Sequence, residues 1–176
     1  MKKSKSPYRT RTHDIVLTGI FIGMGILFPI MFNMIGMTGS VFLPMHIPVM
    51  LAGIVCGAFY GMTAGIVVPF ISSFISGTPA IYPVAVYMAF ELAAYGILCG
   101  LLSRRLGIIL TLAISMIGGR LVLAVAQLIL LGAAGRQFTL EGFITASFIT
   151  AVPGIILQFV AVPVIVRALR KNRMIQ

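Results

Sequence analysis

Three acidic residues, Asp14, Glu91 and Glu141, stand against thirteen lysines and arginines, and the chain has only two histidines and two cysteines. Each scarcity removes a class of function. His13 and His46 do not make a zinc site, which takes several ligands at short spacings. Cys56 and Cys99 lie inside apolar runs without metal-ligand spacing, and read as packing residues rather than a disulfide or redox pair. The G-x-x-x-x-G-K-[ST] loop that cradles nucleotide phosphates is absent, so the chain does not hydrolyse ATP by itself. H-E-x-x-H and G-x-S-x-G, the marks of metalloproteases and serine hydrolases, are absent too. An enzyme is the weaker class, and no cofactor or metal is expected.

Apolar residues fill the space. Sixty per cent of the chain is hydrophobic and 9% charged, with a mean hydropathy of +1.12, a composition that belongs in a membrane. A helix needs about 20 apolar residues to cross the hydrocarbon core, and the runs available are 15–32, 41–74, 81–102, 107–131 and 143–166. The first follows a basic segment as a signal peptide would, but no small-x-small cleavage site follows, so it reads as a retained helix. Run 41–74 is long for one span and short for two, and charge decides between them. With two crossings, turning at 57–61, there are six spans, and Lys2, Lys3, Lys5, Arg9, Arg11, Arg104, Arg105, Arg167, Arg170, Lys171 and Arg173 all face the cytoplasm. Arg120 and Arg136 lie elsewhere. One crossing puts the second half of these bases outside, against the positive-inside rule. The net charge of +10 therefore reports orientation, not nucleic-acid binding. The expectation is an all-α membrane protein of six transmembrane helices, at 15–35, 44–58, 60–76, 81–102, 107–131 and 145–168, with both termini cytoplasmic. Basic tails at 1–14 and 170–176 flank a single domain, 15–169.

Ionisable groups inside spans are costly unless paired or hydrated, which makes them functional candidates. Glu91 lies ten residues into the fourth span, about 15 Å along it, and Arg120 is near the middle of the fifth, so their depths are compatible. They form either a structural ion pair or part of a solute cavity. Tyr87, Glu91 and Tyr95 recur every four residues on one stripe, and Arg120 and Gln127 share a face; aromatic faces with a few convergent polar groups suit a small-molecule pocket. In the sixth span Thr150, Gly154 and Gln158 share a face interrupted by Pro153, which suggests close packing or an opening of the backbone ladder. In the first, Gly19 and Gly23 have the small-x-x-x-small spacing that lets another helix approach. His46, between Pro44 and Pro48, is expected in a helix's first turn at the water interface, as a capping or interfacial group or as a contact to solute.

The stretch LPMHIPVMLAGIVCGAFYGMTAGIVVPFISS (43–73) and the stretch MIGGRLV (116–122) resemble the substrate-binding S components of energy-coupling factor (ECF) transporters. The first is similar to that family's proline-led second helix, Leu-Ala-Gly step and tight Gly turn into a third helix. The resemblance covers essentially the whole chain. It implies a six-helix binding protein that captures a vitamin or related micronutrient from outside and docks on a transmembrane coupling protein with two ATPases. It maps the coupling contact onto Gly19 and Gly23, with glycine where alanine is usual. The ligand region maps onto Asn33, His46, Tyr82, Tyr87, Glu91, Arg120 and Gln127, and gating onto loops 36–43 and 77–80, with Gly36, Gly39 and Gly77 supplying freedom of movement. Arg120 suits a carboxylate or phosphate and Glu91 a donor. Arg120 points toward an acid such as pantothenate, unless Glu91 neutralises it. The competing readings are a self-contained proton- or ion-coupled carrier using Glu91, and an assembly subunit with no solute.

Overall fold

The computed structural model describes residues 11–34, 36, 39–133, 135 and 137–171, and these are helical with no strand among them. Arg136, Arg173 and the first ten residues, with Lys2, Lys3, Lys5 and Arg9, lie outside the described residues. Helix α1 is Arg11–Met34, followed by a short α2, Gly39–Phe42, then α3, His46–Cys56, and α4, Ala58–Ser76. A π-helical turn, Ile81–Ala85, leads into α5, Val86–Leu102, and α6 is Ile108–Ala133. A short α7, Leu140–Ile144, and a second π turn, Thr145–Ile149, precede α8, Val152–Lys171. Five segments are long and apolar enough to cross a membrane: α1, α4, Ile81–Leu102, α6 and α8. This is an all-α membrane protein. Ile20, Leu27, Phe59, Phe74, Ile117, Leu121 and Val160 are exposed, the surface that lipid rather than water covers.

The second expected span differs most from its sequence reading. Helix α3 has 11 residues, about 16 Å at 1.5 Å per residue, half the hydrocarbon thickness. Every residue of it except Ile54 is buried. It is a core helix, not a lipid-facing one. The turn expected over 57–61 is Gly57 alone, with φ +108°, a conformation that excludes a Cβ at little cost only for glycine. Helix α4 then begins at Ala58.

Backbone contact explains the burial. A Cβ added to Gly61 would lie 2.6 Å from the Cα of Gly53 and 2.7 Å from the carbonyl oxygen of Gly96. Gly65 meets the backbone of Leu92 in the same way, and Gly100 meets that of Ala58. Helices α3, α4 and α5 therefore touch main chain to main chain, which only residues without side chains permit. In α1, Gly25 faces inward against Val68, while a Cβ at Gly19 or Gly23 would meet nothing within 4 Å.

The ends of the bundle are tied differently. Ser73 Oγ donates to the Pro79 carbonyl at 2.5 Å, Ser72 Oγ to that of Thr78 at 3.1 Å, and Ser76 Oγ to Thr78 at 2.9 Å. Loop 77–80, expected as a lid, is thus fastened to α4. Helix α2 lies on α8, where a Cβ at Gly154 would be 2.7 Å from the Val41 carbonyl oxygen. Pro153 falls in the first turn of α8, where its missing N–H breaks no bond. The interruption read from the sequence is therefore the helix start, preceded by the π turn.

Gly96→Ala should cost about 2–4 kcal/mol of stability, at or above the usual range for overpacking because the obstacle is backbone. Gly19→Ala should change stability by no more than about 1 kcal/mol, in the favourable direction. Thermal unfolding of both variants in detergent checks the contrast.

Candidate binding site

The first residue of α3, the second turn of α5 and the midpoint of α6 converge. Glu91 and Arg120 are 2% and 6% exposed, and Arg120 Nη1 donates to Glu91 Oε1 at 2.8 Å. The depths counted along the sequence thus match. A carboxylate and a guanidinium removed from water are tolerable only when joined in this way.

His46 completes the group. Its Nε2 is 3.6 Å from the same Glu91 oxygen, too far for a hydrogen bond but close for an ion pair when the ring is protonated. Its ring stands edge-on to Tyr95, with centroids 5.3 Å apart at 70°. The interfacial position expected for His46 is incorrect: it is 1% exposed. Because α3 is half-length, its start falls inside the protein, and the turn at residues 43–45 that precedes it is itself buried. Pro48 is the third residue of that helix, and Pro44 lies in the turn before it.

Tyr95, on the expected stripe but not among the expected ligand residues, belongs to the group. Its hydroxyl donates to the Met116 carbonyl at 3.4 Å, and its ring fills the space where a Cβ at Gly119 would come within 2.9 Å. Glycine at 119, beside Arg120, is what lets α5 deliver an aromatic ring against α6. The Tyr87, Glu91, Tyr95 stripe pointed to Tyr95, and the paired glycines of MIGGRLV marked where it fits.

Of the remaining candidates, Tyr87 and Gln127 are half-buried, while Asn33 and Tyr82 are exposed at the ends of their elements. The structure brings together His46, Glu91 and Arg120 from the sequence-derived set. Gln158, on α8, is fully buried, and neither terminal atom of its amide has a hydrogen-bond partner.

A cavity of about 250 Å³ lies between α6 and α8. Met116, Ile117 and Arg120 line one side, and Phe148, Ile155 and Phe159 the other. Arg120 is the polar residue in that wall, and its Nη2 is buried without a hydrogen-bond partner. A wider groove of about 500 Å³ on the α5 and α6 surface, lined by Phe90, Leu121, Val125 and Ile129, is wholly apolar. The first has one polar residue among its lining side chains but almost no polar surface open to it; the second offers nothing to fix a solute's orientation.

No curated protein and no solved structure matches this sequence. A family model described as "ECF transporter, substrate-specific component" matches residues 13–169. With that match covering all the long helices and the whole cluster, the chain belongs to the substrate-specific components of ECF transporters.

Proposed function

We propose that this chain captures a vitamin or related small micronutrient from outside the cell and delivers it through an ATP-driven partner module, with His46, Glu91 and Arg120 at the heart of the solute site. The observation that carries this reading is the buried cluster beside the α6/α8 cavity. Ionisable groups at such depth are expensive to keep, and a purely structural pair does not require a third titratable residue and an adjoining cavity. Tyr87 and Gln127, half-buried near either partner, extend the site; Asn33 and Tyr82 belong to its outer rim.

The orientation we infer has six crossings, with α3 as a half-length crossing completed by residues 39–45, and both termini cytoplasmic. Eleven of thirteen bases then face the cytoplasm. Residues 39–45, rather than the serine-fastened loop 77–80, form the gate. The module, a coupling protein with two ATPases, meets α1. Gly19 and Gly23 lie on its outward side with Ile15, Val16 and Ile20 exposed around them, and a second helix can approach closely there. The chain has no nucleotide-binding loop, so energy comes from those partners.

Native mass spectrometry of the purified protein, followed by thermal shift against a panel of vitamins, tests the reading. At least one micronutrient should bind with submicromolar affinity, and uptake into liposomes should need the partner module and ATP. Transport by this chain alone down a proton gradient would instead identify a self-contained carrier.

The pair itself makes a separate prediction. Arg120→Ala leaves Glu91 buried alone and should cost about 3–5 kcal/mol. Glu91→Gln with Arg120→Met should recover most of that stability while abolishing solute binding, as read by unfolding and calorimetry on the same samples. Gly23→Leu should leave solute binding intact and prevent co-purification with the coupling protein.

A further inference from the structure

The exposed bases of this chain gather at one end of the bundle. Consecutive long helices run in alternating directions, so the start of α1, the α3–α4 turn, the α5–α6 turn and the end of α8 share that end. Arg11, Arg104, Arg105, Arg167, Arg170 and Lys171 all lie there and are all exposed, with Asp14 the one acid among the described residues of that end. At the other end the described residues include no lysine or arginine, and Glu141 is exposed. These cations also differ from the interior one. Arg120 has Glu91 at 2.8 Å, whereas no ion pair joins any of the six to an acid among the described residues.

Their depth narrows what can answer them. Ile15 and Val16, Leu101, Ile109 and Val164 lie within a few residues of Arg11, Arg104, Arg105 and Arg167, and each is between 56% and 59% exposed. One helical turn rises about 5.4 Å, so the cations begin where lipid-covered side chains end. Long basic side chains at such a level carry their charge in the headgroup interface. Arg104 is placed more closely still. A Cβ at Gly57 would come within 3.1 Å of its Nη2, so its guanidinium lies across the α3–α4 turn, at the carboxyl end of the core helix, where the helix dipole favours a cation.

The chemistry then selects an anion held in the interface. Five of the six are arginines, whose planar forks suit the oxygens of a phosphodiester. A zwitterionic phospholipid brings its own ammonium group to the same level, and an anionic one does not. A nucleic acid or an acidic protein presents its charge from the water side, and would have to reach bases that lie about a turn from hydrocarbon. We infer that this end of the bundle is a collar for anionic phospholipids, whose headgroups are held by Arg11, Arg104, Arg105, Arg167, Arg170 and Lys171 around the folded protein. The excess of bases that sets orientation during insertion thus has a second use afterwards. The inference goes beyond the importer reading and does not rest on it.

Native mass spectrometry of the full chain, purified in detergent and given equal amounts of phosphatidylglycerol and phosphatidylcholine with the same acyl chains, tests it. A base near an anionic surface is worth about fivefold in binding, so phosphatidylglycerol should be retained over phosphatidylcholine by at least about tenfold. In vesicles of the same two lipids, more spin-labelled phosphatidylglycerol than phosphatidylcholine should be motionally restricted by the protein. That excess should shrink as salt rises from about 0.1 M to about 0.5 M, because the bases are exposed and screened. Arg104→Gln with Arg105→Gln, and separately Arg167→Gln with Arg170→Gln, should each lower the preference by at least about threefold. The lysine versions of both pairs should keep most of it. Neither pair should abolish it, since the remaining bases have the same sign. Thermal unfolding verifies that the variants fold, and the salt series on the unmodified protein stands if they do not. Equal retention of the two lipids, indifference to salt, or a preference unchanged by both glutamine pairs overturns the inference. Variants that keep the lipid preference but no longer co-purify with the coupling protein overturn it too, and make this end a protein-docking surface. Vitamin binding is read separately: its presence without lipid preference leaves the importer reading standing and sinks the collar, and lipid preference without it does the reverse.

Discussion

Gly53, Gly61 and Gly96 meet with no side chain between them, and the positions of His46, Glu91 and Arg120 follow from that contact. Main chain against main chain brings α3 inside a ring of longer helices, so that a segment of 11 residues is enclosed instead of spanning the bilayer at its edge. Its first residue is then an interior residue. His46 is drawn next to Glu91 because the helix that carries it is short and the helix that carries Glu91 passes within backbone contact. The same approach of α5 toward α6, through Gly119 and the Tyr95 ring, delivers Glu91 to Arg120. Small residues at helix contacts are the usual means of association where lipid supplies no hydrophobic drive; here they also register three polar groups.

Much of this was legible in the sequence because the membrane simplifies the problem. Uninterrupted apolar runs located α1, α4, α5 and α6 to within about five residues and α8 with a start seven residues early, since backbone groups in lipid must close their hydrogen bonds within helices. Counting depth along two runs put Glu91 and Arg120 at compatible levels, and the structure joins them. What failed was the region 41–58. Its apolar content is the same whether it faces lipid or protein, so hydropathy placed a span there and set His46 at its wet end. The glycines that decide otherwise act through partners 40 residues away, Gly96 and Gly100, and nothing local to 41–58 records that distance. Tyr95 was seen on its stripe but left out of the ligand set for a related reason. Its role depends on a glycine on another helix. Loop 77–80, expected to move, is gripped by Ser72, Ser73 and Ser76 of α4, and only the structure shows those bonds.

Arg120 has two sides with different fates. Nη1 is spent on Glu91, which makes the guanidinium affordable at this depth. Nη2 is left over, buried and without a hydrogen-bond partner. A lysine there would be a single point charge consumed by one carboxylate, whereas the planar fork of arginine can satisfy a structural partner and still present a donor elsewhere. The ion pair therefore fixes the guanidinium in one orientation and leaves its Nη2 without a partner.

The half-length of α3 divides the molecule by tolerance to change. Below His46, Gly53, Gly61, Gly65, Gly96 and Gly100 abut foreign backbone, so no side chain of any size is admissible and the lower part of the bundle is closed to variation. Above His46 the chain is a turn and a four-residue helix, held to α8 through Gly154. The turn, 43–45, is itself buried and the segment's backbone meets α8 at Gly154, so the upper part is anchored too, by one glycine contact where the base has five glycines.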